Sequence, residues 1–281
     1  TSAWPQSDLE MMEFSIPKFV DQQPFNAYFM TLSGHSKYDL KNFIVRKNID
    51  EVRSWADRNG KDYTDAVLSY LAANLEFEKS MEYLLDELEK AGVLENTVIV
   101  MTGDHYPYAL SDDYVIDDTG HVEYFDVEPN LINLFGFDPE TEKDYSHNSL
   151  VIWTPSMDGE HSIHVEEPVY SVDMLPTLLN LFGLEYDSRM LVGRDVFAEN
   201  YEPLVIFLNY HWLTDKGYYN AEDRTYTPNE GCSYDGAGDP EFSSDEEYVE
   251  YINKIVKNKM IFSQNVPNYD YYNVVFPKPE E

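Results

Sequence analysis

The feature that most constrains this chain is the alternation of short apolar runs with long amphipathic segments. The run Thr97 to Thr102 is continuous and rich in β-branched residues, which is typical of a strand covered on both faces. Before it, residues 62–91 repeat apolar side chains at helical spacing and end at Gly92, which predicts a long helix. By the same criteria, strands are predicted over 25–33, 149–154 and 204–208, and helices over 171–182 and 244–264.

Strands separated by helices of this length predict a layered α/β fold with a largely parallel sheet. The hydrophobic fraction of 43% in 281 residues is enough to build a sizeable core. In such sheets ligands bind beyond the carboxyl ends of the strands, so candidate functional residues are expected there.

The sharpest chemical signal is Thr102-Gly103-Asp104-His105, which follows a predicted strand directly. A glycine at a strand end lets adjacent carboxylate and imidazole groups converge on one cation. Oxygen and nitrogen ligands together suit Mn²⁺ or Zn²⁺ better than Ca²⁺. The structural alternative is a solvated loop aspartate beside a histidine that caps the next helix. Because of their place at a strand end, Asp104 and His105 are candidate metal ligands.

A second candidate, His35, follows the predicted strand 25–33 in the sequence Ser33-Gly34-His35. If this strand neighbours the strand 97–102, His35 faces the same crevice as Asp104, where it could bind an oxyanion or carry a proton. Taken alone, a loop histidine is more often a polar surface residue. His147 precedes the strand 149–154, at the amino end, so we expect it to lie away from the crevice.

Charge and cysteine content exclude several classes of function. With 53 acidic and 19 basic residues the formal net charge is −34, so the surface would repel nucleic acid. The single Cys232 excludes an internal disulfide framework and an all-cysteine zinc site. The sequence contains no glycine-rich phosphate loop, G-x-S-x-G elbow or H-E-x-x-H helix, which disfavours hydrolysis by those routes.

Several segments together resemble the sulfatase and alkaline phosphatase superfamily, and within it the lipoteichoic acid synthase-like phosphoglycerol transferases of bacterial surfaces. They occur in the family's order over about two hundred residues. The similar segments are Trp4-Pro5-Gln6-Ser7-Asp8, Pro24 to His35, Leu94 to His105, Val172 to Gly193 and Arg194-Asp195-Val196-Phe197.

The resemblance implies an alkaline phosphatase-like, three-layer α/β/α sandwich with a mixed, mostly parallel sheet. It implies that Asp104 and His105 are ligands of a catalytic divalent cation, commonly Mn²⁺, with Zn²⁺, Mg²⁺ and Ca²⁺ as alternatives. His35 would contact the phosphate or glycerol group of the substrate. That substrate would be a phosphoglycerol lipid or polymer, or a small sulfated or phosphorylated molecule.

The sequence departs from the family pattern at its start. Family enzymes carry an acidic metal ligand and a Thr, Ser or formylglycine nucleophile upstream of the segment that corresponds to Trp4-Pro5-Gln6-Ser7-Asp8. This sequence contains no such upstream segment. It also lacks the C/S-x-P-S-R signature of sulfatases. We therefore expect residues 1–281 to be the C-terminal part of one catalytic domain, with 244–281 as a helix and tail. The expected partner is the N-terminal half of that domain, which supplies the nucleophile. The parent protein would act at the extracellular face of a bacterial membrane.

Two other functions stay open. One is a sulfatase, distinguished by a formylglycine signature in place of a threonine nucleophile. The other is a non-catalytic module that binds carbohydrate or polymer and keeps only the fold. The pairing of Asp104 with His105 at a strand end argues against that module, because a decayed site has no physical reason to retain both groups.

Overall fold

The computed structural model describes residues 6–35, 37–157, 162–239 and 241–277. Trp4 and Pro5, from the first of the segments similar to the family, lie outside these described residues. The chain divides into two compact units, Thr1–Ser162 and Ile163–Glu281. The assignment of residues 1–281 to one catalytic domain stays a prediction.

The helices of the first unit confirm the long helix predicted before the first strand. In the described part of this unit they are α1 (Asp8–Ser15), α2 (Phe43–Arg58), α3 (Asp65–Lys90), α4 (Val127–Phe135) and α5 (Glu142–Ser146). The side-chain oxygen of Thr64 caps α3 by accepting a hydrogen bond from the amide of Val67. Gly92 follows the end of α3 with a φ of 70°, a conformation that glycine adopts without strain.

Helices α2 and α3 pack along their apolar faces, although the sequence analysis did not predict α2. Val45, Ile49 and Val52 of α2 form a buried cluster with Ala72 and Ala73 of α3. The small alanine side chains allow the two helix backbones to approach closely. This packing fixes the position of α3, which contacts the loop that carries His35.

Two strand pairs belong to the first unit. β1 (Ile99–Thr102) and β4 (Leu150–Trp153) pair in antiparallel register, with Ile99 opposite Trp153 and Thr102 opposite Leu150. β2 (Tyr114–Ile116) and β3 (Val122–Tyr124) form an antiparallel hairpin between them. β1 and β4 confirm the two strands predicted around residues 97–102 and 149–154.

The strand directions differ from the expected mostly parallel sheet, because each pair in the described residues is antiparallel. Residues 103–149 leave and return at the same end of the β1–β4 pair, and a strand that starts where its neighbour ends must run in the opposite direction. Residues 25–33, predicted as a strand, form no ladder in the described part of the chain, and residue 33 lies in a turn. Tyr28, Met30 and Leu32 of this segment are exposed.

The second unit consists of a small sheet and helices packed around aromatic side chains. Its strands are β5 (Val205–Ile206), β6 (Trp212–Leu213), β7 (Gly217–Asn220) and β8 (Thr225–Pro228), paired in that order, and its helices are α6 (Met174–Leu181), α7 (Asp245–Asn268) and α8 (Tyr271–Val275). α6 and α7 confirm the two predicted helices, whereas the strand predicted over 204–208 is reduced to β5. Trp212 is fully buried, stacks on Tyr219 at 5.2 Å, and donates its indole N–H to Asn253.

Across the described ranges, none of the helices has the length and apolar character needed to cross a membrane.

Candidate functional site

Asp104 and His105 lie in the loop directly after β1, in contact with each other. Oδ1 of Asp104 accepts a hydrogen bond from the backbone amide of His105 at 2.9 Å. Oδ2 lies 3.5 Å from Nε2 of the His105 ring. The side chain of Asp104 is 85% exposed and that of His105 is 43% exposed, so both groups are accessible from solvent.

The proton on the His105 ring is placed by the backbone. Nδ1 lies 2.8 Å from the carbonyl oxygen of Tyr106, and since a carbonyl only accepts, Nδ1 is the donor. In the neutral ring Nε2 then keeps its lone pair on the side of Asp104. This is the arrangement of metal-binding histidines, whose second nitrogen is held by a carbonyl or carboxylate.

Aromatic rings surround this loop. The ring of Tyr108 lies 4.9 Å from that of His105 and 6.3 Å from that of Tyr106, which in turn lies 5.2 Å from that of Tyr145. Tyr108 is half exposed. The rings therefore restrict the movement of the imidazole, whose side chain remains 43% exposed.

The antiparallel β1–β4 pair brings the residues before β4 to this same end. A Cβ built on Gly103 would lie 2.5 Å from Nδ2 of Asn148, so the Asp104 loop packs directly against the side chain of Asn148. The expectation that His147 lies away from the crevice is wrong, because it assumed a β4 parallel to β1. With Thr102 opposite Leu150, His147 is at the same end of the pair as Asp104.

His35 is held by a capped turn. Its backbone amide donates to the carbonyl of Leu32 at 3.0 Å. The buried carboxylate of Asp8, at the start of α1, accepts from the amides of Leu32 and Ser33 at 2.8 and 3.0 Å, and the hydroxyl of Ser33 accepts from the amide of Asp8 at 2.8 Å. These three bonds fix the turn at Leu32 and Ser33, and His35 lies exposed on the surface.

Tyr38, which the sequence analysis missed, interacts both with the loop of His35 and with Asp104. It is buried, and its hydroxyl donates to the carbonyl of Gly34 at 3.0 Å. Burial raises the pKa of Tyr38 most, followed by the neighbouring Tyr70, Tyr108 and Tyr124 and by the negative charge of Asp104. The hydroxyl that holds Gly34 thus lies within electrostatic range of Asp104. The only signal in the sequence is a tyrosine four residues after Gly34, which is too common a pattern to single out.

Asp104 and His105 fit a divalent cation in their chemistry, as a carboxylate and an imidazole with its lone pair free. Among the described residues no group of three or more His, Cys, Asp or Glu side chains could hold a metal ion. The two residues therefore supply two ligands, and a complete site needs further oxygen or nitrogen donors.

Comparisons with known proteins bear on the family of the chain and on its fold. The family model described as Sulfatase matches residues 3–184. The chain is similar to lipoteichoic acid synthase 2 of Bacillus subtilis (strain 168), at 24% identity over 257 residues that cover 91% of this chain and 34% of that protein. It is similar to the lipoteichoic acid synthase of Staphylococcus aureus (strain USA300), at 24% identity over 206 residues that cover 72% of this chain and 27% of that protein.

Among solved structures, the chain matches a lipoteichoic acid synthase from Listeria monocytogenes with a TM-score of 0.59 and 16% identity, over 92% of this chain and 60% of that chain. This match confirms the expected alkaline phosphatase-like α/β fold. The chain spans 34% or less of the length of the two curated relatives described above.

Proposed function

Because the chain belongs to the sulfatase family, we propose that it is the C-terminal part of the catalytic domain of a metal-dependent enzyme of the lipoteichoic acid synthase type. Its substrate would be a phosphoglycerol lipid or polymer. The enzyme would act at the extracellular face of a bacterial membrane. The nucleophile would come from polypeptide outside these 281 residues, because the sequence contains no segment that resembles the family's nucleophile motif.

The observation that carries this proposal is the geometry of Asp104 and His105. Oδ2 and Nε2 lie 3.5 Å apart, while the carbonyl of Tyr106 holds the proton on the opposite ring nitrogen. These atoms would hold a divalent cation, with Mn²⁺ as the first choice. When bound, such an ion supplies positive charge that stabilises phosphate oxygens and lowers the pKa of an attacking hydroxyl.

The other residues of the site would bind and orient the substrate. His35 is exposed at the end of a capped turn, where its imidazole could donate a hydrogen bond to a phosphate oxygen. The half-exposed Tyr108 beside His105 could pack against the glycerol carbons. Binding an anionic substrate has to overcome the net charge of −34, so we expect substrate binding to strengthen when salt screens the surface.

Metal binding tests the proposed ligands directly. We would titrate the full enzyme that contains this chain with Mn²⁺ in a calorimeter and repeat the titration with Zn²⁺, Mg²⁺ and Ca²⁺. Asp104→Ala and His105→Ala should each abolish the Mn²⁺ binding of the wild type. Asp118→Ala, which removes the same charge from another exposed loop, should leave it unchanged. Unchanged Mn²⁺ affinity in Asp104→Ala would show that the metal assignment is wrong.

Activity distinguishes the proposed enzyme from a sulfatase and from a non-catalytic module. The full enzyme that contains this chain should release p-nitrophenol from bis(p-nitrophenyl) phosphate in the presence of Mn²⁺, and Asp104→Ala should remove this activity. If the enzyme cleaves p-nitrophenyl sulfate faster than bis(p-nitrophenyl) phosphate, it is a sulfatase instead. Metal binding without either activity would point to the binding module.

A further inference from the structure

The second unit contains a cavity of about 220 Å³ that the metal site does not use. All of its lining residues lie between Asp173 and Lys259. They come from the start of α6, the loop before β5, the β6–β7 turn, the loop before α7 and α7 itself. The two sides of this cavity differ in chemistry, and the difference indicates what it can bind.

One side is aromatic. The ring of Phe242 lies 5.1 Å from that of Tyr234, 5.3 Å from that of Tyr248 and 5.3 Å from that of Tyr251. Phe242 and Tyr248 are buried, whereas Tyr251 is 44% exposed. The cavity is therefore bordered by a rigid apolar surface with one ring that a ligand can reach.

The other side is polar, and its charges are paired. Arg194 Nη1 lies 3.0 Å from Glu202 Oε2, and Lys216 Nζ lies 2.7 Å from Asp215 Oδ2. All four of these residues line the cavity. The carboxylate of each pair would repel a bound anion, and the basic group of each pair would repel a bound cation. The paired charges therefore favour neither kind of ion.

The remaining charged groups of the lining are Lys259, Glu241 and Asp173, which together carry one net negative charge. Lys259 donates to the carbonyl of Val192 at 2.7 Å, and burial followed by the positive charge of Arg194 lowers the pKa of Lys259. Glu241 adds one negative charge to the same lining. The buried carboxylate of Asp173 accepts from the amide of Arg194 at 2.8 Å and contacts the hydroxyl of Tyr201 at 3.0 Å. The wall thus offers both donors and acceptors with little net charge.

We propose that this cavity binds a neutral polyhydroxylated ligand, a sugar ring or a polyol. Hydroxyl groups both donate and accept, so they can bind to a wall of paired charges without adding charge of their own. The C–H face of such a ligand packs against the accessible ring of Tyr251, while its hydroxyls bind at the Arg194–Glu202 pair. This site lies in a different compact unit from Asp104 and His105, and it is independent of the proposed metal chemistry.

The proposal is tested by saturation-transfer NMR and calorimetry on the whole chain. The ligands are glycerol and the methyl glycosides of glucose, galactose and N-acetylglucosamine, with glycerol 3-phosphate as the charged comparison. At least one neutral ligand should bind. Tyr251→Ala should lower its affinity about tenfold, as expected when one stacked ring is removed. Tyr269→Ala, which removes an exposed tyrosine outside the cavity, should bind as the wild type does.

Glu202→Gln is a second test variant. It removes the ion pair between Arg194 and Glu202 and should also lower the affinity for the neutral ligand. Asp104→Ala should bind the sugar normally even if it loses Mn²⁺, so the two proposals can fail separately. No binding of any neutral ligand, or equal losses in Tyr251→Ala and Tyr269→Ala, would overturn the inference. Binding of glycerol 3-phosphate alone would also overturn it, because the cavity would then be an anion site.

Discussion

The hydroxyl of Tyr38 donates a 3.0 Å hydrogen bond to the carbonyl oxygen of Gly34, the residue immediately before His35. Tyr38 is 4% exposed, and its ring meets that of Tyr70 edge-on at 5.3 Å. The bond closes the loop that carries His35 onto helix α3. Asn74, one turn further along α3, lies against the same glycine, since a Cβ on Gly34 would be 2.7 Å from its side-chain oxygen.

Tyr38→Phe should lower the free energy of unfolding by about 1 kcal/mol, because it removes one hydrogen bond and leaves the buried ring in place. Urea denaturation measures the change. Tyr28→Phe is the matched control, since Tyr28 is 82% exposed and should give no loss. Equal stabilities for the two variants would mean that the Tyr38–Gly34 bond does not stabilise the loop.

Asp8→Asn should destabilise the turn at Leu32 and Ser33 by about 2 kcal/mol. The carboxylate of Asp8 accepts from two amides, those of Leu32 and Ser33, and an asparagine side chain has only one acceptor oxygen. Hydrogen exchange should therefore accelerate at Leu32 and Ser33. The exposed Asp21→Asn serves as the control, and protection of both amides in Asp8→Asn would contradict the expected role.

Glu76 should make the free energy of unfolding depend on pH at values below the ordinary pKa of a glutamate. Its side chain is fully buried on α3; burial alone would raise its pKa, but hydrogen bonds from Lys47, Ser7 and Asn48 lower it below the usual value of 4.5. The stabilisation is therefore complete above about pH 4.5 and is lost as the pH falls through the lower folded pKa.

Glu76→Gln tests this dependence. At pH 7 it should cost about 1–3 kcal/mol in the free energy of unfolding, because a buried charged hydrogen-bond network is disrupted. The difference from the wild type should shrink as the pH is lowered below 4.5. Urea denaturation at several pH values measures it, with the exposed Glu78→Gln as control. A difference that stays constant with pH would contradict the lowered pKa.

Gly193→Ala should be more damaging than Gly103→Ala. A Cβ on Gly193 would overlap the backbone oxygen of Val172, whereas the three atoms nearest to a Cβ on Gly103 all belong to the side chain of Asn148, which can rotate away. We expect a loss of about 1–3 kcal/mol at Gly193, the usual cost of overpacking, and a smaller one at Gly103. Thermal denaturation compares the two variants, and a larger loss at Gly103 would contradict the expected order.

Local patterns in the sequence predicted the elements that depend on local interactions. The helical spacing of residues 62–91 predicted α3, and the β-branched run before Thr102 predicted β1. Asp104 and His105 follow directly after that strand, as the sequence predicted. Their role as metal ligands stays a prediction. The combination of segments also predicted the family, because a conserved order of several motifs is more specific than any one of them.

Contacts between distant segments were decided only in the tertiary structure. The sequence predicted a strand at residues 149–154, but its antiparallel pairing with β1 depends on where the intervening residues return, and this pairing placed His147 at the end that carries Asp104. The bonds from Leu32 and Ser33 to Asp8, and from Tyr38 to Gly34, join residues whose types are common throughout the chain. Hydrophobic periodicity specifies which face of an element is buried, whereas the choice of its partner depends on the packing of the whole unit.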